Sequence, residues 1–100
     1  MARQIIWLPA ALDDLREIVG YIASRSDTFG SVVATTIFSK VERLAEMPFI
    51  GAVIREDDAG MHRHLICYTY RIIYRVIEDR IYIVAVIHGA RLLPDDLLSR

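Results

Sequence analysis

The sequence predicts a two-layer α+β domain, in which an N-terminal strand and an antiparallel helix hairpin precede a C-terminal antiparallel β-meander. The main observation is a change of hydrophobic period. Apolar residues recur at helical spacing before Pro48 and alternate, as in strands, after Gly51. The length of 100 residues suits a single core, so we expect residues 1–100 to form one domain. In such a domain the helices pack on one face of the sheet.

The first strand and first helix are predicted at the start of residues 1–48. The apolar run Gln4–Trp7 indicates a short strand, and Pro9 follows where a proline suits the first turn of a helix. We expect this helix to extend to about Arg25. Apolar residues recur along it at helical spacing: Leu12, Leu15, Ile18, Val19 and Ile22.

The second helix is expected to follow a turn at Ser26–Ser31, with Gly30 as the breaker and Ser31 as the N-cap. It should end before Pro48, because the residue ahead of a proline avoids helical backbone angles. So short a connection between two helices predicts an antiparallel hairpin. The predicted inner face of the second helix consists of Val33, Ile37, Val41 and Leu44.

Residues 51–88 are predicted to form the sheet. Ala52–Arg55 is a candidate short strand, and an acidic loop, Glu56–Gly60, follows it. Three strands rich in β-branched and aromatic residues come next, at roughly His62–Tyr68, Tyr70–Ile77 and Arg80–Ile87. Antiparallel pairing is favoured by their tight connections at Thr69 and Glu78-Asp79. The tail, residues 89–100, is expected either to form one helical turn over a sheet edge or to become ordered on binding a partner.

Composition and charge exclude several classes of protein. A hydrophobic content of 54% with 25% charged residues argues against intrinsic disorder, and no apolar run is long enough to cross a membrane. The single cysteine, Cys67, excludes an internal disulfide framework and fits a reducing cytoplasm. With 12 basic and 13 acidic residues, the net charge of −1 argues against affinity based on many phosphate contacts. The N-terminal apolar stretch is interrupted by Pro9 and lacks a cleavage site, so we expect no signal peptide.

The only cationic concentration of the sequence lies between Met61 and Ile77, in a stretch that contains no acidic residue. It carries His62, Arg63, His64, Arg71 and Arg75, and His88 and Arg91 follow. Alternation along a strand places Arg71 and Arg75 on one face. One interpretation is a site for an anion, either a nucleic-acid backbone or an acidic protein. The other is that these arginines pair with local acids such as Glu78 and Asp79.

Metal binding is the weaker interpretation of the two nearby histidines. His62 and His64 share one face of a predicted strand, and a third ligand would have to come from the Glu56–Asp58 loop. Two solvated histidines are the favoured interpretation. Cys67 lies among apolar neighbours without an adjacent base, so we expect a buried, inert thiol. No metal and no cofactor are expected.

The chain resembles the RelE/ParE superfamily of bacterial toxins, and its ParE-like branch most. The order of strand, two helices and meander is that of the superfamily, and the resemblance covers nearly the whole chain. Two phrases resemble the helices of ParE-like members: Asp14-Leu15-x-x-Ile18-x-x-Tyr21-Ile22 and Leu44-Ala45-x-x-Pro48-x-x-Gly51. Two more resemble their C-terminal half: Tyr70-Arg71-Ile72-Ile73-Tyr74-Arg75-Val76 and Ile83-x-x-Val86-x-His88-Gly89-x-Arg91.

The resemblance implies the toxin of a type II toxin–antitoxin module, which arrests growth unless a cognate antitoxin holds it inactive. ParE-like members inhibit DNA gyrase through protein–protein contact, which is the function we expect. RelE-like members cut mRNA on the ribosome, which is the alternative. The implied partner is a ParD-like antitoxin with a ribbon-helix-helix DNA-binding part, in a hetero-oligomer with the toxin. We expect it to lay an amphipathic helix on the helix hairpin, and partner contacts at Leu15, Ile18, Ile22, Ile37, Arg63 and Arg75.

Under the ribonuclease alternative, Arg71 and Arg91 would stabilise the charge that develops on the scissile phosphate. A histidine would then transfer the proton, the candidates being His62, His64 and His88. Two catalytic lysines of RelE-like nucleases fall on His62 and His64 here, and their C-terminal tyrosine falls near Leu97. These departures and the net charge of −1 favour the ParE-like interpretation.

Overall fold

The computed structural model describes residues 2–94 and 96–100, and it confirms the predicted α+β class. The elements are β1 (Gln4–Trp7), α1 (Pro9–Ala23), α2 (Asp27–Glu42), β2 (Ala52–Val53), β3 (Arg63–Cys67), β4 (Tyr70–Ile77) and β5 (Arg80–His88). Short 3-10 turns lie at Arg43–Ala45 and Leu97–Ser99. Among the described residues, no helix is long and apolar enough to cross a membrane.

The sheet has five strands in the order β1-β5-β4-β3-β2. Strands β2 to β5 form the predicted antiparallel meander, and β4 lies at its centre. The N-terminal strand pairs in parallel with β5, with Ile5 opposite Ile81, so the sheet is mixed. Nothing in the sequence indicated this pairing, because a short apolar run carries no information about its neighbour.

The second helix begins earlier than the sequence predicts. Its N-cap is Ser26 rather than Ser31, and the Ser26 hydroxyl accepts a hydrogen bond from the Phe29 N–H at 3.2 Å. Gly30 is not a breaker. It lies buried within α2, where a Cβ atom would stand 2.9 Å from the Cβ of Ala23. The glycine is therefore needed for the close approach of the two helices, a requirement that only their packing reveals.

Two apolar clusters lie on opposite faces of the sheet. The larger one, under the helices, includes the whole predicted inner face of α2 together with Ile72, Tyr74 and Ile83 of the sheet. The smaller one, on the other face, consists of Ile54, Ile73, Val84, Ala85, Ile87 and Leu97. Leu97 is fully buried there, so the C-terminal turn covers a face of the sheet rather than an edge.

Tyr74 fastens the loop Pro48–Gly51 to the central strand. Its ring is fully buried, and its hydroxyl donates to the Pro48 carbonyl and accepts from the Gly51 N–H, each at 2.9 Å. Burial raises the pKa of the Tyr74 hydroxyl, so the group stays protonated and able to donate. The Tyr74 side chain thus holds, from within, the loop that joins the helices to the sheet.

Removing only this hydroxyl is expected to destabilise the fold. Tyr74→Phe keeps the ring but leaves the Gly51 N–H and the Pro48 carbonyl without their partner, so the free energy of unfolding should fall by about 1–3 kcal/mol. Denaturant unfolding measures the difference. Tyr68→Phe is the control, because Tyr68 is exposed. Equal stability of Tyr74→Phe and the wild-type chain would contradict this role of the hydroxyl.

Candidate functional site

A polar cluster lies on the sheet face opposite the helices. Register places His64 opposite Ile73 and Ile66 opposite Arg71, so the side chains of His64 and Arg71 share that face. Glu56, from the loop after β2, reaches the same place. The three side chains line a groove of about 640 Å³, whose other walls include Val53, Ile66 and Gly89.

All three guanidinium nitrogens of Arg71 are engaged within the chain. Nη1 and Nη2 donate to the two carboxylate oxygens of Glu56 at 2.9 and 3.2 Å, and Nε donates to Nδ1 of His64 at 2.9 Å. Arg71 is only 8% exposed, so its charge needs such a partner. In return, the hydrogen bond from Arg71 is the main cause that lowers the pKa of Glu56. The carboxylate therefore stays ionised and paired.

The contact with Arg71 also decides the protonation of His64. A guanidinium only donates, so Nδ1 of His64 must accept, and the neutral ring carries its proton on Nε2. Burial, followed by the positive charge of Arg71, lowers the pKa of His64 below its ordinary value. The ring is therefore neutral at pH 7, and the lone pair on Nδ1 already accepts the hydrogen bond from Arg71.

His62 is separated from this cluster. It precedes β3, is almost fully buried, and places Nδ1 at 2.8 Å from Oδ2 of Asp57. That oxygen also accepts the backbone N–H groups of Met61 and His62, each at 2.9 Å. The hydrogen bond from His62 is the main cause that lowers the pKa of Asp57. The pair thus organises the loop before β3.

The expectation of two solvated histidines is wrong, because His62 is buried and His64 is half-buried in the groove. No group of three or more potential metal ligands occurs within residues 2–94 and 96–100. Cys67 is buried as expected, and burial raises the pKa of its thiol.

His88 and Arg91 line a second groove, of about 510 Å³, that borders α1. The ring of His88 meets the ring of Tyr70 edge-on at 5.7 Å, and Tyr70 packs against the helix-side cluster. On the same side, Oδ2 of Asp14 accepts the Val86 N–H at 3.1 Å, and partial burial raises the pKa of that carboxyl. The five residues considered for phosphate chemistry are therefore divided among three places.

The expected partner contacts also differ in accessibility. Leu15 and Ile37 are buried in the core, which corrects the expectation that they face a partner. They stabilise the helix hairpin from within. Ile18 and Ile22 are half-buried at the edge of the core and keep part of their surface.

The two remaining arginines bind backbone carbonyls. Arg63 donates from Nη1 to the carbonyls of Phe49 and Gly51 at 3.3 and 2.7 Å. Arg75 donates to the carbonyl of Arg100 at 3.2 Å. Of the three arginines between Met61 and Ile77, Arg71 is the one that forms an ion pair with an acid of the described residues, and that acid is Glu56 rather than Glu78 or Asp79. No local pattern indicates this pairing, since the loop that carries Glu56 is placed only by the fold.

The pKa of His64 offers a direct test of the cluster. Arg71→Gln is expected to raise this pKa, because the substitution removes a positive charge that disfavours the imidazolium and leaves Glu56, which favours it. NMR titration of the His64 ring protons measures the change. Arg16→Gln, on the exposed side of α1, is the control. An unchanged pKa in Arg71→Gln would show that the two side chains are not in contact.

The lowered pKa of His64 also predicts a loss of stability in weak acid. Below about pH 6.5 the unfolded chain binds a proton at His64 before the folded chain does, so the free energy of unfolding falls as the pH falls. His64→Asn keeps an acceptor for Arg71 but does not titrate. Between about pH 7 and pH 5, this variant should lose less stability than the wild-type chain in denaturant unfolding. Parallel curves for the two proteins would rule out a contribution from His64.

Comparison with known proteins agrees with the arrangement of the elements. Residues 5–93 match the sequence family described as the ParE toxin of the type II toxin–antitoxin system parDE. No curated protein sequence matches the chain.

Solved structures share the fold at low identity. The chromosomal ParDE system from P. aeruginosa has a TM-score of 0.71 at 20% identity, over 87% of this chain and 96% of that one. The RelBE2 complex from Mycobacterium tuberculosis gives 0.62 at 19%, over 88% and 99%. A mutant of the E. coli toxin RelE in the free state gives 0.64 at 20%, over 99% and 93%. With the family match spanning residues 5–93, the chain belongs to the ParE toxin family of type II toxin–antitoxin systems.

Proposed function

We propose that this toxin arrests growth by protein–protein contact with DNA gyrase and that a cognate ParD-like antitoxin keeps it inactive. The observation that carries the proposal is the state of Arg71. A group that stabilises a scissile phosphate must offer free N–H donors to the developing charge. Three of the five N–H donors of Arg71 are occupied by Glu56 and His64, and its positive charge is balanced by the carboxylate of Glu56.

The dispersal of the other candidate groups supports the same proposal. A general acid or base must come within about 3 Å of the proton that it transfers. His88 and Arg91 line a different groove from Arg71, and His62 is buried against Asp57. The net charge of −1 also suits a protein that contacts another protein better than one that sits among ribosomal phosphates.

The antitoxin is proposed to cover the outer face of α2. Phe29 and Val32 are large apolar side chains about one turn apart on this helix, and both are exposed. An amphipathic helix that packs its apolar side against them would remove this surface from water. We propose that the partner is of the ribbon-helix-helix type, that the two proteins form a hetero-oligomer, and that the complex is cytoplasmic.

Ribosome-dependent cleavage of mRNA is the second candidate, and one observation favours it. The side chain of Glu56 is 43% exposed and belongs to a loop, whereas Arg71 is buried in the sheet. If Glu56 moved away, the groove would hold a guanidinium and His64 side by side. In this alternative, phosphate binding would have to displace an internal carboxylate.

Expression of the chain alone in a bacterial host, together with two purified assays, tests the proposal. We expect growth arrest with an early DNA damage response while translation initially continues. In the purified assays, the toxin should accumulate gyrase–DNA cleavage complexes and leave ribosome-bound mRNA intact. Immediate translation arrest with cleaved mRNA would reject the proposal in favour of the second candidate.

Substitution of Arg71 separates the two candidates within the site. Arg71→Ala removes the guanidinium, and the half-exposed Glu56 that remains can be solvated by water. Under the proposal, a folded Arg71→Ala protein, checked by circular dichroism, still inhibits gyrase. Loss of mRNA cleavage in the same variant, where the wild-type chain cleaves, would identify Arg71 as a catalytic residue.

A further inference from the structure

An apolar patch surrounds the loop that joins the helices to the sheet. We call it the Phe49 patch, and it consists of Phe49, Ile50, Val53 and Met61. Each of these side chains is between 43% and 59% exposed. Phe49 and Met61 line one small cavity together with Arg63, and Val53 stands opposite Arg63 across β2 and β3. Ile50 follows Phe49 in the chain. Apolar side chains grouped in this way are typical of contact surfaces.

Two arginines border the patch and give it a positive charge. The guanidinium of Arg63 lies 5.2 Å from the centre of the Phe49 ring, and that of Arg3 lies 5.9 Å from it. Within residues 2–94 and 96–100, neither arginine forms an ion pair. The patch therefore combines an exposed aromatic ring with positive charge that no acid of the described chain balances.

The patch is rigid because its backbone is bound from inside. The hydroxyl of Tyr74 holds the Pro48 carbonyl and the Gly51 N–H, and Nη1 of Arg63 donates to the carbonyls of Phe49 and Gly51. At Gly51 a Cβ atom would lie 2.6 Å from the Tyr74 hydroxyl, so a side chain would break this arrangement. A surface held in place before binding loses little conformational entropy when a partner docks.

A small cavity lies beside the Phe49 ring. It has a volume of about 190 Å³ and is lined by Phe49, Gly60, Met61, Arg63, Arg75 and Val76. This volume accommodates one large side chain rather than a helix. An aromatic or arginine anchor beside a small cavity is the arrangement that dominates the energy of protein interfaces.

We propose that the Phe49 patch is the surface with which the toxin contacts its target protein. The fitting partner is a folded protein surface that inserts one apolar side chain beside Phe49 and places carboxylates near Arg3 and Arg63. The target suits this surface better than the antitoxin does, because the patch is compact and rigid, whereas an amphipathic antitoxin helix needs an elongated apolar face. The inference rests on the proposed function insofar as it assumes a protein target.

Phe49→Ser tests the patch, with Tyr21→Ser as the matched control. Tyr21 is an exposed aromatic that also lies under an arginine, since the guanidinium of Arg25 is 4.9 Å from its ring centre. Purified gyrase is the probe. Phe49→Ser should lose at least about tenfold in affinity for gyrase and should no longer arrest growth, whereas Tyr21→Ser should retain both. Thermal unfolding of each variant verifies that the chain is folded.

The outcomes separate the patch from the identity of the target. Growth arrest and gyrase affinity that survive in folded Phe49→Ser would overturn the patch proposal. If the wild-type chain does not bind gyrase, but Phe49→Ser loses growth arrest and Tyr21→Ser keeps it, the patch proposal stands and the gyrase proposal fails. A wild-type chain that arrests nothing would overturn both.

Charge reversal at the rim tests the chemistry of the partner. Arg3→Glu leaves the bonds of Tyr74 and Arg63 to the loop in place. For an acidic partner it should weaken the binding of gyrase and reduce its sensitivity to salt. Tighter binding by Arg3→Glu would show that the contacted surface is basic and would overturn this part of the proposal.

Discussion

A guanidinium inside the sheet of a small protein needs a partner, and the pairing of Arg71 with Glu56 answers that need. An unpaired charge at this depth would cost several kcal/mol. Because Arg71 lies on the central strand, its two bonds to Glu56 fasten the loop after β2 to the middle of the sheet. Its bond to His64 fixes the tautomer of that ring. The neutralised guanidinium of Arg71 therefore determines where Glu56 and His64 lie in the groove.

On the opposite face of β4, a neutral group, the hydroxyl of Tyr74, also holds a loop in place. Tyr74, three residues after Arg71, holds the loop Pro48–Gly51 by its hydroxyl. Strand β4 thus positions two loops, one on each face of the sheet. The first loop closes an anion site from within, and the second presents an aromatic ring outward. The first arrangement neutralises Arg71, and the second leaves the Phe49 ring exposed.

Local patterns in the sequence were sufficient for the elements but not for the pairing of distant groups. Alternation placed Arg71 and Arg75 on one face of β4, and spacing identified the buried side of α2. The prediction of Gly30 as a helix breaker is wrong. This glycine allows α1 to approach α2 closely, and a contact between two helices leaves no local pattern in the sequence. Alternation along the strand also did not predict that His62 and His64 bind different partners, Asp57 and Arg71. This difference depends on where β3 begins and on the Asp57 carboxylate, which folds back onto His62.

The pairing of Glu56 with Arg71 also limits the access of other anions to the groove. Any anion that approaches Arg71 competes with Glu56, which is tethered a short distance away and therefore acts at a high effective concentration, on the order of millimolar or more. The apparent affinity for a phosphate equals the intrinsic affinity multiplied by the fraction of molecules in which Glu56 has left Arg71. A ribonuclease would need that fraction to be large, or a substrate with enough other contacts to compensate. At a net charge of −1, the chain offers few such contacts. An internal carboxylate on a single arginine thus disfavours phosphate binding in this groove.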